Sequence, residues 1–305
     1  MNTNVNEKRP VNKRAVVKIV IWSVVFCLLG LLLLGGVTGV STGVTVFGLP
    51  GIHLNLGGFT YEDANEYSVG NASVKDPVTD LEIVWLAGDI TVIPSDTEEI
   101  RITEDYSGDD DDLRLRWLLK DGKLTVQFRK PVIFGTARAV SKNLTVAIPA
   151  ALLEAMGEVE ITTVSGDVTF TGNADELTLD AVEGDLTIKG DIGELEVNAM
   201  KGKLTFTGGV RSAEMSCVDT TVIMHLDMAT ELSFDQVNGD VALYLSEEIM
   251  GFTAEVESLG GGIRVEDFTD LTATGDHFTR WGDGSLRIRV EGVKAKLTVK
   301  KATDN

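Results

Sequence analysis

Residues 176–193 read ELTLDAVEGDLTIKGDIG, and the windows on either side, EVEITTVSGDVTFTGNAD at 158–175 and ELEVNAMKGKLTFTGGVR at 194–211, repeat the same order of apolar, polar and glycine positions without a gap. A unit this short cannot enclose a core by itself. Its apolar side has to be covered by the next copy, so an uninterrupted eighteen-residue period predicts stacked coils, a solenoid. Within one unit the apolar positions are Leu177, Leu179, Val182, Leu186, Ile188 and Ile192, recurring at Leu195, Val197, Met200, Leu204, Phe206 and Val210. Alternation at a period of two turns one side of each short strand inward and leaves Thr178, Asp180, Thr187 and Lys189 outside.

Between the two strands of each unit stands a turn column, Gly166, Gly184, Gly202, Thr220, Gly239 and Gly261, with steps of 18, 18, 18, 19 and 22 residues. Glycine suits such a corner because it reaches positive φ without steric cost. Thr220 breaks the column, which implies a different turn type or local strain there. The longer steps read as loop insertions at 227–230 and 246–251, and Leu186, Leu204 and Val222 are expected one above another.

Outward from the array the template thins but persists. Leu81, Ile83, Leu86, Gly88, Asp89, Ile90 and Val92 repeat the strand, corner and strand order, and residues 121–126 (DGKLTV) repeat its second half. NLTVAI at 143–148 reads as a further strand ended by Pro149, 150–156 as one helical turn, and 284–290 with 295–299 as two closing strands. The predicted class is all-β, an elongated single-chain β-solenoid of about eighteen-residue rungs over residues 72–305, each rung adding ~4.8 Å to the stack.

The N-terminus carries a different signal. Lys8, Arg9, Lys13, Arg14 and Lys18 precede the uncharged run 19–40; twenty-two helical residues at 1.5 Å each span about 33 Å, enough for the ~30 Å hydrocarbon core of a bilayer. The basic cluster predicts a cytoplasmic tail (1–18), one transmembrane helix (19–40), a glycine-rich juxtamembrane linker (41–71) and an extracellular solenoid, a single-pass protein of the cell membrane. A cleaved signal peptide is the alternative, disfavoured by the length of the apolar run and the lack of an A-x-A site.

Charge narrows the partners. The chain has 27 basic and 47 acidic residues, and 22 and 46 of them follow Lys18, a formal charge of about −24 beyond the tail. That excludes nucleic acid, which demands a basic patch. Two cysteines, Cys27 in the apolar run and Cys217 in a strand, give no disulfide framework. Cys217 stands where Ala181 and Ala199 stand one and two units earlier, the place of a small packed residue. His53, His225 and His277 are far apart, and only His277 has acidic neighbours, Asp276 and Asp283. No nucleophile elbow, metal motif or phosphate loop is present, so no catalytic, cofactor-binding or metal-ligating residue is assigned. Gly-Asp corners (Asp89, Asp167, Asp185, Asp240) and the run 109–112 raise calcium, but Lys203 and Thr221 interrupt the column and turn aspartate explains it.

An N-terminal anchor, Tyr67, Ser68, Val69 and Gly70 before the first strand, Trp85, Leu86, Ala87, Gly88 and Asp89 at its corner, SKNLTVAIP at 141–149, TVSGDV at 163–168 and WGDGS at 281–285 together resemble the bacterial putative-adhesin family of β-strand-repeat envelope proteins. The resemblance covers nearly everything after residue 60 and implies a membrane-anchored, non-enzymatic surface protein with no catalytic residues to carry over. The expected function is an adhesin-like scaffold presenting its β-face to wall polymer or an envelope protein. The alternatives are an envelope-stress accessory acting on a membrane partner through the span, where Gly30, Gly35, Gly36 and Gly39 permit close helix packing, and, behind it, a polysaccharide-active enzyme.

Overall fold

The computed structural model describes residues 53–55, 58–132, 140–154, 156–273 and 275–302, in two units. In the unit Met1–Ala64 with Pro131–Arg138, strand His53–Asn55 runs antiparallel to Gly58–Thr60 with Leu54 opposite Phe59. Phe59 and Val132 exchange backbone hydrogen bonds of 2.8 and 2.7 Å, and the Phe59 and Tyr61 rings meet edge-on at 5.6 Å. The apolar run 19–40 lies outside the described residues, among which no helix is long and apolar enough to cross a membrane.

In the second unit, Asn65–Lys130 with Ala139–Asn305, the sequence period is a physical rung. Strand Met156–Ser165 runs parallel to Ala174–Glu183, placing Val159 beside Leu177 and Ile161 beside Leu179; the next rung places Leu177 beside Leu195 and Leu179 beside Val197. Past each corner the shorter strands Val168–Thr171 and Leu186–Lys189 continue the register, so that Val168, Leu186 and Leu204 lie in one rank. Val222, one period on, has no exposed surface. The adjacent interior rank Val146, Val92, Phe170, Ile188 and Phe206 is sealed from solvent throughout. Each such side chain contributes roughly 1.5–3 kcal/mol by leaving water, which is how a stack without disulfides holds together.

Two expectations about the inside of the rung are corrected. Val182 is buried as expected, but Met200, also placed in the core, is only half-buried: the alternation that buries Leu177 and Leu179 continues to Ala181, and the interior rank is Ala181, Ala199 and Cys217. Size drew the assignment to the methionine, while pleat phase decides the side. Asp180 shares the outward phase but is 8% exposed and accepts a 2.9 Å hydrogen bond from Asn198 Nδ2 one rung on.

Chain order and spatial order agree only in the middle of the stack. The rung next to residues 231–245 is Leu286–Lys301: Gly239 pairs with Ala295, and Gly261 packs against Ala295 from beyond, where a Cβ on Gly261 would stand 1.6 Å from the Ala295 carbonyl oxygen. Gly251–Ser258 and Ile263–Glu266 lie on the far side of Leu286–Lys301. The 22-residue step therefore contains the expected loop, residues 246–250, and with it a jump over one level. The other end is inverted in the same way. Asp80–Ala87 and Ile90–Ser95 touch the regular array, while Lys123–Gln127 and Leu144–Pro149 lie outside them.

Antiparallel strands then close both ends. Arg116–Lys120 covers Lys123–Gln127, Ile100–Glu104 covers Leu144–Pro149, and Phe278–Gly282 covers Gly251–Ser258. An open parallel edge would offer a row of unpaired backbone groups to any other strand, and short capping strands remove it. Other expectations resolve locally. Residues 227–230 stay in strand, one extra residue being absorbed without a loop; 150–153 form the expected helical turn, Ala150–Leu153; and the two closing strands are one continuous run, Leu286–Lys301. Thr220 does not take the positive φ of the corner glycines, so that corner changes turn type, and its side chain is buried.

Candidate functional site

The corners consume the carboxylates that the sequence offers. Gly166, Gly184 and Gly202 have φ of 137°, 149° and 147°, and a Cβ on Gly184 would stand 2.0 Å from the Gly166 carbonyl oxygen, so both conformation and rung spacing demand glycine. The residue after each glycine then reaches along the stack. Asp89 Oδ1 accepts the Asp167 N–H at 3.0 Å, Asp167 Oδ1 accepts that of Asp185 at 2.8 Å, and Asp185 Oδ1 accepts that of Lys203 at 2.9 Å, where the ladder ends because lysine has no acceptor. Corner aspartates thus satisfy backbone donors of the following rung. Among the described residues no group of three or more His, Cys, Asp or Glu side chains is arranged to hold a metal ion. The run 109–112 forms a 3-10 turn, Asp111–Leu113, whose preceding Asp110 side chain accepts from Asp112 N, while Asp112 pairs with Lys130 at 2.9 Å.

The histidines and acids singled out in the sequence do not converge. His225 stacks on Tyr244, centroids 4.6 Å apart and planes 7° from parallel, on the outward side of the short strands. His277 Nδ1 lies 3.1 Å from the Val256 carbonyl oxygen. Asp283 Oδ1 accepts the Ser285 N–H at 2.9 Å, and that hydrogen bond holds its carboxyl below the usual range. The described part of His53 is its strand position alone. Cys217 is a buried free thiol pushed up to about 12 by burial, as its alanine neighbours implied.

Sequence reading missed a buried ion pair at the inverted end of the stack. Lys142 and Glu104 are 1% and 2% exposed and in direct contact; Lys142 Nζ also donates to the Leu113 carbonyl at 2.7 Å and lies 4.6 Å from the Phe128 ring centroid and 5.0 Å from that of Trp85. Both Glu104 oxygens accept from Leu115 N at 3.0 Å. Trp85 Nε1 donates to the Lys142 carbonyl at 2.7 Å, and Asp89 N donates to Asn143 Oδ1 at 2.8 Å. Burial pushes the Lys142 amine down to about 8 against the pull of Glu104. WLAGD and SKN, quoted above for the family resemblance, are therefore two halves of one network. Its parts bond to one another across levels, as a rung-to-rung fastener.

What stands open is a groove of about 530 Å³ along the second corner of the rungs. Its apolar floor comes from Met156, Ala174 and Ile192, stacked in register, with Met228 59% exposed beside it. Asp175, Asp191 and Arg211 supply polar groups. Asp191 is held from two sides, its N–H donating to Asn173 Oδ1 at 2.8 Å and its Oδ1 accepting from Gly209 N at 2.8 Å; Arg211 is steered by Glu194 at 3.0 Å. A concave site with an apolar floor and a few fixed polar groups is the form that ligand sites take. The only sequence signal for it was the second glycine column, Gly172, Gly190 and Gly208, whose consequence depends on how the rungs stack.

No curated protein matches the chain. Among solved structures it is similar to a putative adhesin from Parabacteroides distasonis (13% identity, 77% of this chain and 97% of that one, TM-score 0.38). Others are a putative adhesin from Bacteroides fragilis (12%, 77% and 97%, 0.35) and a putative cell adhesion protein from Clostridium sporogenes (11%, 77% and 100%, 0.34). Residues 78–222, which hold the Lys142 network, the regular rungs and most of the groove, match the family model of Toastrack DUF4097.

Proposed function

We propose that the protein is a non-enzymatic surface scaffold, adhesin-like, that holds a segment of wall polymer or of an envelope protein in the second-corner groove, with the run 19–40 as its membrane anchor. The observation that carries this reading is the groove itself: Asp191, held from two sides, and Arg211, steered by Glu194, stand with Asp175 and the exposed Met228 around one concave stretch of the second corner. Lys142 and Glu104, by contrast, are buried and spent on each other, and the corner aspartates are spent on backbone donors. Strong net negative charge on the exported part keeps copies apart and leaves recognition to the groove.

Co-sedimentation of the full chain with isolated wall polymer tests it. The chain should pellet with the polymer, and Asp175→Lys together with Met228→Glu, both exposed groove positions, should weaken binding by about tenfold or more while the melting temperature stays put. Equal binding by parent and variant, or no binding to polymer and no crosslinked envelope protein in intact cells, overturns the reading.

A further inference from the structure

The groove along the second corner owes its depth to two glycines. Gly193 follows Ile192 of the apolar floor, and Gly209 donates its N–H to Asp191 Oδ1 at 2.8 Å. Neither takes the positive φ of the corner glycines, so backbone conformation does not call for them. Space does. A Cβ on Gly193 would meet the Asp175 carbonyl oxygen at 2.4 Å, and one on Gly209 would stand 2.9 Å from Asp191 Oδ1 and 3.6 Å from Met228 Cε. The absent side chains leave a gap beside which a carboxylate oxygen and a thioether methyl lie within 3.6 Å of one point.

The charges around this gap do not balance. Glu154, Asp175 and Asp191 line it against a single cation, Arg211, whose guanidinium is already held by Glu194 at 3.0 Å. Among the described residues none of those three carboxylates has an ion-pair partner. Asp191 is also fixed before any ligand arrives, by Gly209 through Oδ1 and by Asn173 through its own N–H, which lowers the ordering cost of binding. The complementary ligand carries positive charge at the end of an aliphatic stem. A neutral sugar would leave the carboxylates uncompensated, and a bare cation would make no use of Met228, which is 59% exposed and offers a polarizable apolar surface. Lysine has the required form, four methylenes that cover apolar surface and an ammonium at the tip. We propose that the groove is specific for a lysine side chain presented by an envelope protein, its stem against Met228 over Gly209 and its ammonium toward Asp191 and Asp175. This rests on the groove being the recognition site, as argued above, and it selects protein over wall polymer as the ligand.

Three labelled peptides separate charge from stem: trilysine, trilysine acetylated on every Nζ, and the same backbone carrying diaminopropionic acid, which keeps the amine on a single methylene. Titrated against the full chain, trilysine should bind at least about tenfold more tightly than either. Asp191→Asn, which keeps an acceptor for Gly209, and Met228→Gln, which adds no charge, should each weaken it by about threefold or more. Asp240→Asn, at the Gly-Asp corner, should not, and the melting temperatures should coincide. Equal binding of the acetylated peptide means that the amine is not read. Equal binding of the short-stemmed peptide, or unchanged binding by Met228→Gln, means that a polyanion is attracting any cation. Either result overturns the proposal, as does no binding of trilysine. If wall polymer then still pellets with the chain and Asp175→Lys with Met228→Glu releases it, the groove stands and only the lysine assignment falls. If polymer and crosslinked envelope protein are absent as well, the groove reading falls with it.

Discussion

The regular middle of the stack and its inverted end are held by opposite means. Between Met156 and Thr207 every rung uses the same small terms: an aliphatic rank, a glycine corner and one carboxylate-to-backbone hydrogen bond to the next level. At the end where Lys123–Gln127 and Leu144–Pro149 lie outside Asp80–Ala87 and Ile90–Ser95, a single buried ion pair ties segments that are far apart in the chain. Repetition distributes stability so that no one residue matters much, whereas the end concentrates it. A rung out of sequence has no covalent neighbour beside it, and Lys142, Glu104 and Trp85 supply the specificity that chain continuity supplies elsewhere.

The comparison breaks most visibly at Lys142. Lys142→Met strands the Glu104 carboxylate in the interior and should lower stability by about 3–5 kcal/mol, read as a lowered urea midpoint. Adding Glu104→Gln should recover part of that loss by removing the orphaned charge. A loss under about 1 kcal/mol would mean that the pair is dispensable and the end is held like the middle.

The junction between the two regions gives a pH test. Glu160, on the first regular rung, lies in register with Glu82 of the inverted end, and burial and then Glu82 push its carboxyl up to about 7; Lys123, 3.0 Å from Glu82 and 3.9 Å from Glu160, opposes this, while Asp180 and Glu158 add to it. Asp180 is likewise raised by burial, to about 6, against its hydrogen bond from Asn198. Because the folded form holds these protons more tightly than the unfolded chain, stability should fall as pH rises from about 4.5 through 7. Glu160→Gln should flatten the upper part of that profile. A melting temperature that rises over the same interval, or one that Glu160→Gln leaves unaltered in slope, would contradict the assignment.

The smallest effect belongs to the middle. Asp167→Ala removes the acceptor for the Asp185 N–H and should cost about 1 kcal/mol, whereas Asp167→Asn, which keeps a carbonyl oxygen in place, should be nearly silent. If asparagine were as damaging as alanine, the negative charge and not the acceptor would be what the corner needs, and a bound cation would return as an explanation.

How much was legible follows the same division. Leu186 over Leu204, the glycine corners and the buried Cys217 were readable because each is a statement about one period and its copy. Met200 was misplaced because hydrophobicity was counted ahead of pleat phase. The inverted order of rungs at both ends was invisible, since a period measured along the chain carries no record of which side of a level the next level is laid. The groove was equally hidden: Met156, Ala174 and Ile192 look like ordinary core positions until the corner beside them opens.

The amino-acid sequence by itself determined that this chain stacks eighteen-residue β-rungs around an aliphatic interior and that its corners are glycine followed by a short acceptor, because those properties depend only on alternation, period and φ. Tertiary structure decided the spatial order of the end rungs, the Lys142–Glu104 fastener and the groove. Each of those depends on which distant segments become neighbours, and that choice is made by the summed burial and pairing of the whole stack, not by any local preference.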